Sequence, residues 1–164
     1  MKDKPTVRTE IKLAGFGGQG IIMGGDLLGK AATLFGGKFA TMTQSYGPES
    51  RGGACSSLVM IADHFWAYPA QTQLDYFVVL SLEAANTYAS QVGRDTVVLY
   101  DRDMVPWKRK SNSIGIPSVA MAEALGNKLA ANLIMLGALC RFLEPLHRGI
   151  SRESLEKAIR DTMK

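Results

Sequence analysis

Two glycine-rich segments hold the residue types best suited to chemistry in this chain. The first is Gly15-Phe16-Gly17-Gly18-Gln19-Gly20, and the second is Gln44-Ser45-Tyr46-Gly47-Pro48-Glu49-Ser50-Arg51-Gly52-Gly53. Gly15, Gly17 and Gly20 satisfy the spacing G-x-G-x-x-G. That pattern lets a main chain turn tightly and brings a phosphate onto a helix N-terminus. In the second segment Arg51 offers a planar fork of donors that fits a carboxylate or phosphate. Glu49 could pair with it or with a partner's cation. Tyr46 presents a flat apolar face with a polar tip. Pro48 fixes one dihedral, while Gly47, Gly52 and Gly53 free the chain around it. Two roles stay open for Glu49 and Arg51: bracing their own loop, or reaching another subunit or a cofactor-bearing site. Gln19 is expected to brace the first loop through its amide.

The first loop is not a complete dinucleotide fingerprint. A Rossmann site also needs an acidic residue at the end of the second strand, to hold the ribose hydroxyls. That end reads Thr41-Met42-Thr43-Gln44, with no carboxylate and no arginine for a 2′-phosphate. The histidines, His64 and His147, have no nucleophile or acid beside them in sequence. No Walker loop, HExxH or Ser/His/Asp order occurs, so no catalytic residue is assigned. Cys55 and Cys140 form no CxxC and read as small buried hydrophobes, so no metal ligands are assigned either.

Hydrophobic periodicity supplies the elements around these segments. Thr9–Ala14 is expected to be the first strand, followed by the glycine loop and a helix over about Ile21–Phe35. Leu27, Leu28, Ala31, Ala32, Leu34 and Phe35 give that helix its apolar side. Phe39–Thr43 and Ser56–Ile61 follow as strands, with Phe65–Tyr68 closing a hairpin on the latter across Asp63-His64. Tyr76–Leu80 and Val97–Tyr100 are continuous apolar runs, as in parallel strands buried on both faces. Glu83–Val92 is the helix between them, and Pro106–Pro117 reads as an irregular loop. Helix then resumes at Ser118–Leu125, breaks at Gly126-Asn127, and continues through Lys128–Leu143, which is apolar nearly all round and expected to be buried. Asn132 inside it is expected to make a core hydrogen bond. Ser151 should cap a last helix whose stripe is Leu155, Ala158, Ile159 and Met163. The expected fold class is α/β, a three-layer α/β/α sandwich. Its sheet is mostly parallel but mixed, with a Rossmann-like first βα unit and one hairpin.

At 164 residues, with 46% apolar and 21% charged content, the chain reads as a single domain over residues 1–164. The net charge of +4 is mild. Asp101, Arg102, Asp103, Lys108, Arg109 and Lys110 read as a solvated charged loop. Nothing resembles a nucleic-acid motif, an apolar leader or a membrane span, so a cytoplasmic protein is expected.

The wording Gly15-Phe16-Gly17-Gly18-Gln19-Gly20-Ile21, combined with Thr43 through Gly53, resembles the gamma subunit of 2-oxoacid:ferredoxin (acceptor) oxidoreductases, most like the 2-oxoglutarate type. Asp75–Ala84 and Gly126–Ala138 extend the resemblance over nearly the whole chain. It implies a subunit of a complex that oxidatively decarboxylates a 2-oxoacid onto coenzyme A and passes electrons to ferredoxin. Such a complex would use thiamine diphosphate, Mg²⁺ and iron–sulfur clusters carried by alpha, beta and delta-type partners. No cofactor is expected to be bound by this chain alone. Gly15, Gly17, Gly18, Gln19, Gly20, Tyr46, Gly47, Glu49, Arg51, Gly52 and Gly53 would serve a subunit interface or the coenzyme A path. Pyruvate, 2-oxoisovalerate and indolepyruvate enzymes stay open, as do a free-standing nucleotide-binding oxidoreductase and an interaction module without enzyme partners.

Overall fold

The structure, a computed structural model, describes residues 7–46, 53–65, 73–109 and 112–164. Six strands form one sheet: β1 (Arg8–Phe16), β2 (Phe39–Tyr46), β3 (Ala54–Ala62), β4 (Tyr76–Val79), β5 (Val97–Asp101) and β6 (Ser113–Ile116). Their order is β2-β3-β1-β4-β5-β6. β1, β4, β5 and β6 run parallel, and β3 lies antiparallel to both β1 and β2. The helices are α1 (Ile21–Lys30), α2 (Leu82–Tyr88), α3 (Ser118–Ala124), α4 (Ala130–Leu143) and α5 (Arg152–Thr162).

Strand alternation sorts the core into two layers. Ile11 and Leu13 of β1 join Val59 and Ile61 of β3 under α1, α4 and α5, with Leu27, Leu28, Leu136 and Leu139. On the opposite face Ala14, Leu58, Met60, Phe77 and Val79 pack under α2 with Ala84, Ala85 and Tyr88. Trp107 closes that side, its ring centroid 6.1 Å from Phe77 and 6.4 Å from Tyr100. The expected mixed α/β sandwich is therefore what the chain forms.

Several local expectations need correction. The hairpin joins β2 to β3, and Phe65 lies outside any strand; residues 66–68 fall outside the described residues. The stretch read as an irregular loop contains β6, a short strand whose Gly115 and two isoleucines gave too brief a pattern to register. α1 ends in a π-helical turn over Ala31–Phe35 that leaves Leu34 and Phe35 exposed. α4 is not buried all round, since Leu129 and Gly137 face outward. In α5, Leu155 and Ala158 are buried but Met163 is exposed.

The charged stretch is not simply solvated. Asp101 is fully buried and accepts from Asp103 N–H, Met104 N–H, Ser118 O–H and Val119 N–H. Arg109 donates to the carbonyls of Gly93 and Thr96 at 2.7 and 3.0 Å. These side chains hold the β5–β6 turn and the start of α3. Lys110 lies outside the described residues.

Candidate functional site: the glycine rim

Among the described strands β3 alone runs the other way, so β1, β2, β4, β5 and β6 all end at the same rim of the sheet. β1 continues through its loop into α1 on one face, while β4 continues through Leu80-Ser81 into α2 on the other. Adjacent parallel strands whose connections diverge in this way open a crevice, the usual ligand position in such sheets. Gln19 spans it. Its Oε1 accepts from the main-chain N–H of Phe16 at 2.7 Å, and its Nε2 donates to the carbonyl of Leu80 at 3.3 Å. The expectation that Gln19 braces the loop is met. Gly15 is required beneath it, because a Cβ there would overlap Gln19 Oε1 and lie 2.8 Å from Ile21 Cδ1.

Gly20 is the N-cap of α1 in the left-handed conformation, φ 75°, where a side chain is strained. No side chain caps this helix and its first turn has no acidic residue. Among the described residues, then, no side chain neutralises the positive end of its backbone dipoles. Asn132 supports the loop from below, its Nδ2 donating to the Gly20 carbonyl at 2.6 Å. This is the core hydrogen bond expected of Asn132, and it ties α4 to the loop. Gly17 and Gly18 stay exposed, with nothing within 4 Å of a Cβ built on either.

Tyr46 ends β2 at the same rim, opposite Cys55, which in turn lies opposite Gly15. Two strand spacings put Tyr46 about 10 Å from the first loop. Its side chain is 69% exposed, and among the described residues its hydroxyl meets Gln44 Oε1, at 3.2 Å. Gly53 leads into β3 beside Phe16. Gly47, Glu49, Arg51 and Gly52 lie outside the described residues. The buried Cys55 thiol is pushed up by desolvation, with a backbone hydrogen bond opposing. That shift favours the protonated thiol at neutral pH. Among the described residues no group of three or more His, Cys, Asp or Glu could hold a metal ion.

Gly24 and Gly25 were missed in the sequence. A Cβ on Gly25 would overlap Ser57 Oγ and lie 2.8 Å from Met42 Sδ, and one on Gly24 would press on Asn132 and Leu13 at 2.9 Å. They let α1 sit directly on β1 and β3 and so set the height of its N-terminus. Adjacent glycines inside a helix were the available signal, since each costs about 1 kcal/mol against alanine unless packing requires it.

The topology also weakens the dinucleotide reading. β3 intervenes between β1 and β2, so the end of β2 is two strands from the glycine loop rather than next to it.

Residues 10–164 match the family model described as pyruvate ferredoxin/flavodoxin oxidoreductase. The chain belongs to that family. It is a gamma-type subunit of a 2-oxoacid:ferredoxin oxidoreductase. It is 42% identical to the 2-oxoglutarate synthase subunit KorC of Methanocaldococcus jannaschii, over 99% of this chain and 87% of that one. The gamma subunit of a keto/oxoacid ferredoxin oxidoreductase from Geobacter sulfurreducens superposes with a TM-score of 0.79 at 35% identity, covering 93% of this chain and 83% of that chain. The ketoisovalerate oxidoreductase subunit VorA of Methanothermobacter marburgensis is 34% identical over 98% of this chain, but the match covers only 33% of VorA. This oxidoreductase domain thus occurs both as a separate subunit and as one part of a longer chain. No helix among the described residues is long and apolar enough to cross a membrane.

Proposed function

We propose that this chain serves a 2-oxoglutarate-type complex, which converts 2-oxoglutarate, coenzyme A and oxidised ferredoxin into succinyl-CoA, CO₂ and reduced ferredoxin. Within it the chain is non-catalytic. Its rim docks against the alpha and beta subunits, which hold thiamine diphosphate, Mg²⁺ and iron–sulfur clusters, and shapes the coenzyme A path. The observation that carries this reading is the uncapped N-terminus of α1 behind the open Gly17-Gly18 backbone, with Tyr46 projecting from the same rim. Uncommitted main-chain N–H groups at a helix start suit a phosphate. Arg51, outside the described residues, has a fork of donors of the right chemistry. Coenzyme A supplies the acyl acceptor when bound; this chain's part is to hold its phosphate-bearing end. The identity to 2-oxoglutarate synthase subunits supports the choice of acid over pyruvate, 2-oxoisovalerate and indolepyruvate.

The test is anaerobic affinity purification of the tagged chain from its native cells. The eluate is assayed for viologen reduction dependent on coenzyme A with 2-oxoglutarate, pyruvate and 2-oxoisovalerate in parallel. Brown co-purifying subunits active on 2-oxoglutarate are expected. Activity confined to another acid would reassign the substrate. A colourless lone protein, where a control complex survives the same conditions, would remove the subunit role.

A further inference from the structure

Asn132 is the one amide on the buried side of α4, among Ala131, Met135, Leu136, Leu139 and Leu143. A polar group placed there must be desolvated, which is a cost unless its hydrogen bond does something a leucine would not. Its Nδ2 donates to the Gly20 carbonyl at 2.6 Å. That carbonyl already accepts from the Gly24 N–H at 2.8 Å. The carbonyl is therefore satisfied without Asn132, and what the second bond adds is direction. A trans peptide is planar, so the Gly20 carbonyl and the Ile21 N–H point opposite ways. Pinning the carbonyl from below turns the Ile21 N–H out past the start of the helix. Ile21 opens α1, and the first N–H groups of a helix have no intrahelical acceptor. Gly20 is the residue that needs this restraint, since its φ of 75° lies where glycine moves in and out freely.

We infer that Asn132 is a positioning residue for coenzyme A: by fixing the Gly20–Ile21 peptide, it aims the Ile21 N–H at the phosphate-bearing end of that substrate. This rests on the reading of the rim given above. At 4% exposure Asn132 lies beneath the loop and acts through the peptide, without touching the substrate. Main-chain N–H bonds to an ionised oxygen are of the strong kind, and they weaken steeply once the donor is misdirected. The effect therefore falls on coenzyme A and not on the oxoacid.

Two variants remove the donor without leaving a gap. Asn132→Asp keeps the shape. Asn132→Leu keeps the branching, and a small apolar cavity bounded by Leu13, Ile21, Leu80 and Met135 takes the added volume. In the purified complex each should raise the KM for coenzyme A about tenfold, as for loss of one hydrogen bond to a charged group. The kcat at saturating coenzyme A and the KM for 2-oxoglutarate should stay unchanged. In the free chain, inorganic pyrophosphate should shift the Ile21 amide resonance, and shift it less in both variants. Gly17→Asp puts a negative charge on the open loop and should raise the same KM, so it reports on the rim itself. A raised KM in Gly17→Asp beside an unchanged one in both Asn132 variants would overturn the role of Asn132 and leave the rim reading standing. Parallel losses in kcat and for both substrates, tracking a lowered melting temperature, would make Asn132 structural only and overturn the inference too. An unchanged KM for coenzyme A in all three variants would overturn the rim reading, and this inference with it.

Discussion

The Gly15–Gly20 loop and the end of β2 reach the same rim but are built in opposite ways. The first is locked from within: Gln19 ties it to β4, Asn132 ties it to α4, and only Gly17 and Gly18 are left open. The second projects: Tyr46 is exposed and, among the described residues, its hydroxyl meets only Gln44. A loop that spends its side chains on internal bonds offers a partner only fixed backbone. A projecting aromatic on an open strand offers area and adaptable contacts. The rim thus combines a fixed main-chain surface with a projecting aromatic side chain.

The largest effect should come from disturbing the platform under the locked loop. Gly25→Ala drives a Cβ into Ser57 and Met42, and overpacking of this kind costs about 1–3 kcal/mol. Thermal unfolding should fall by roughly 2–4 °C per kcal/mol for a domain of this size. An unchanged melting temperature would show that α1 does not rest on β3 as described. Asn132→Ala should cost about 2 kcal/mol, since it removes the bond to the Gly20 carbonyl and leaves a gap below the loop. Gln19→Ala should cost about 1–1.5 kcal/mol, by orphaning the Phe16 N–H. Chemical denaturation of both variants ranks them against each other.

Tyr46→Ala sharpens the contrast from the other side. Its stability change should lie within about 0.5 kcal/mol, as for an exposed residue. Recovery of partner subunits, or the apparent KM for coenzyme A, should nonetheless worsen several-fold. Lost stability with normal assembly would make Tyr46 a structural residue like Gln19.

The smallest effect concerns the face of the sheet covered by α2. Lys12 is buried there, its ammonium bonded to Gln91 Oε1 and 4.7 Å from the Tyr88 ring centre. Desolvation holds its pKa below the usual lysine value. The unfolded chain therefore binds more protons than the folded one between the lowered pKa and about 10.4, and folding stability rises with pH across that window. Against Lys12→Met, wild type should be relatively weakest below the folded pKa and should gain as pH climbs toward about 10.4. A pH-independent difference between the two denaturation curves would mean that Lys12 keeps its charge without penalty.

Much of this architecture was written locally. The apolar runs of β4 and β5, the glycine stop after α1, the Ser151 cap and the break at Gly126 depend on near neighbours, and each formed where its residues indicated. The site's motif was legible for the same reason, as was the bracing role of Gln19. Features that depend on distant partners were not legible. α4 looked apolar all round, yet which side of it stays open depends on how α3 and α5 lie against it. Asp101 looked like part of a charged loop, but folding brings Ser118 and Val119 to its carboxylate.

By itself the sequence determined the α/β class, the glycine loop before α1, the absence of a ribose acid and the membership of a 2-oxoacid oxidoreductase family. Those follow from residue type and short spacing, which act through backbone dihedrals and hydrophobic period. Only the tertiary structure decided that β3 enters antiparallel between β2 and β1. That one insertion brings the glycine loop and Tyr46 to the same rim about 10 Å apart and, among the described strands, leaves β2 at the edge of the sheet. Strand order is settled by which faces bury best against α1 and α2 across the whole sheet, and no local stretch of sequence contains that sum.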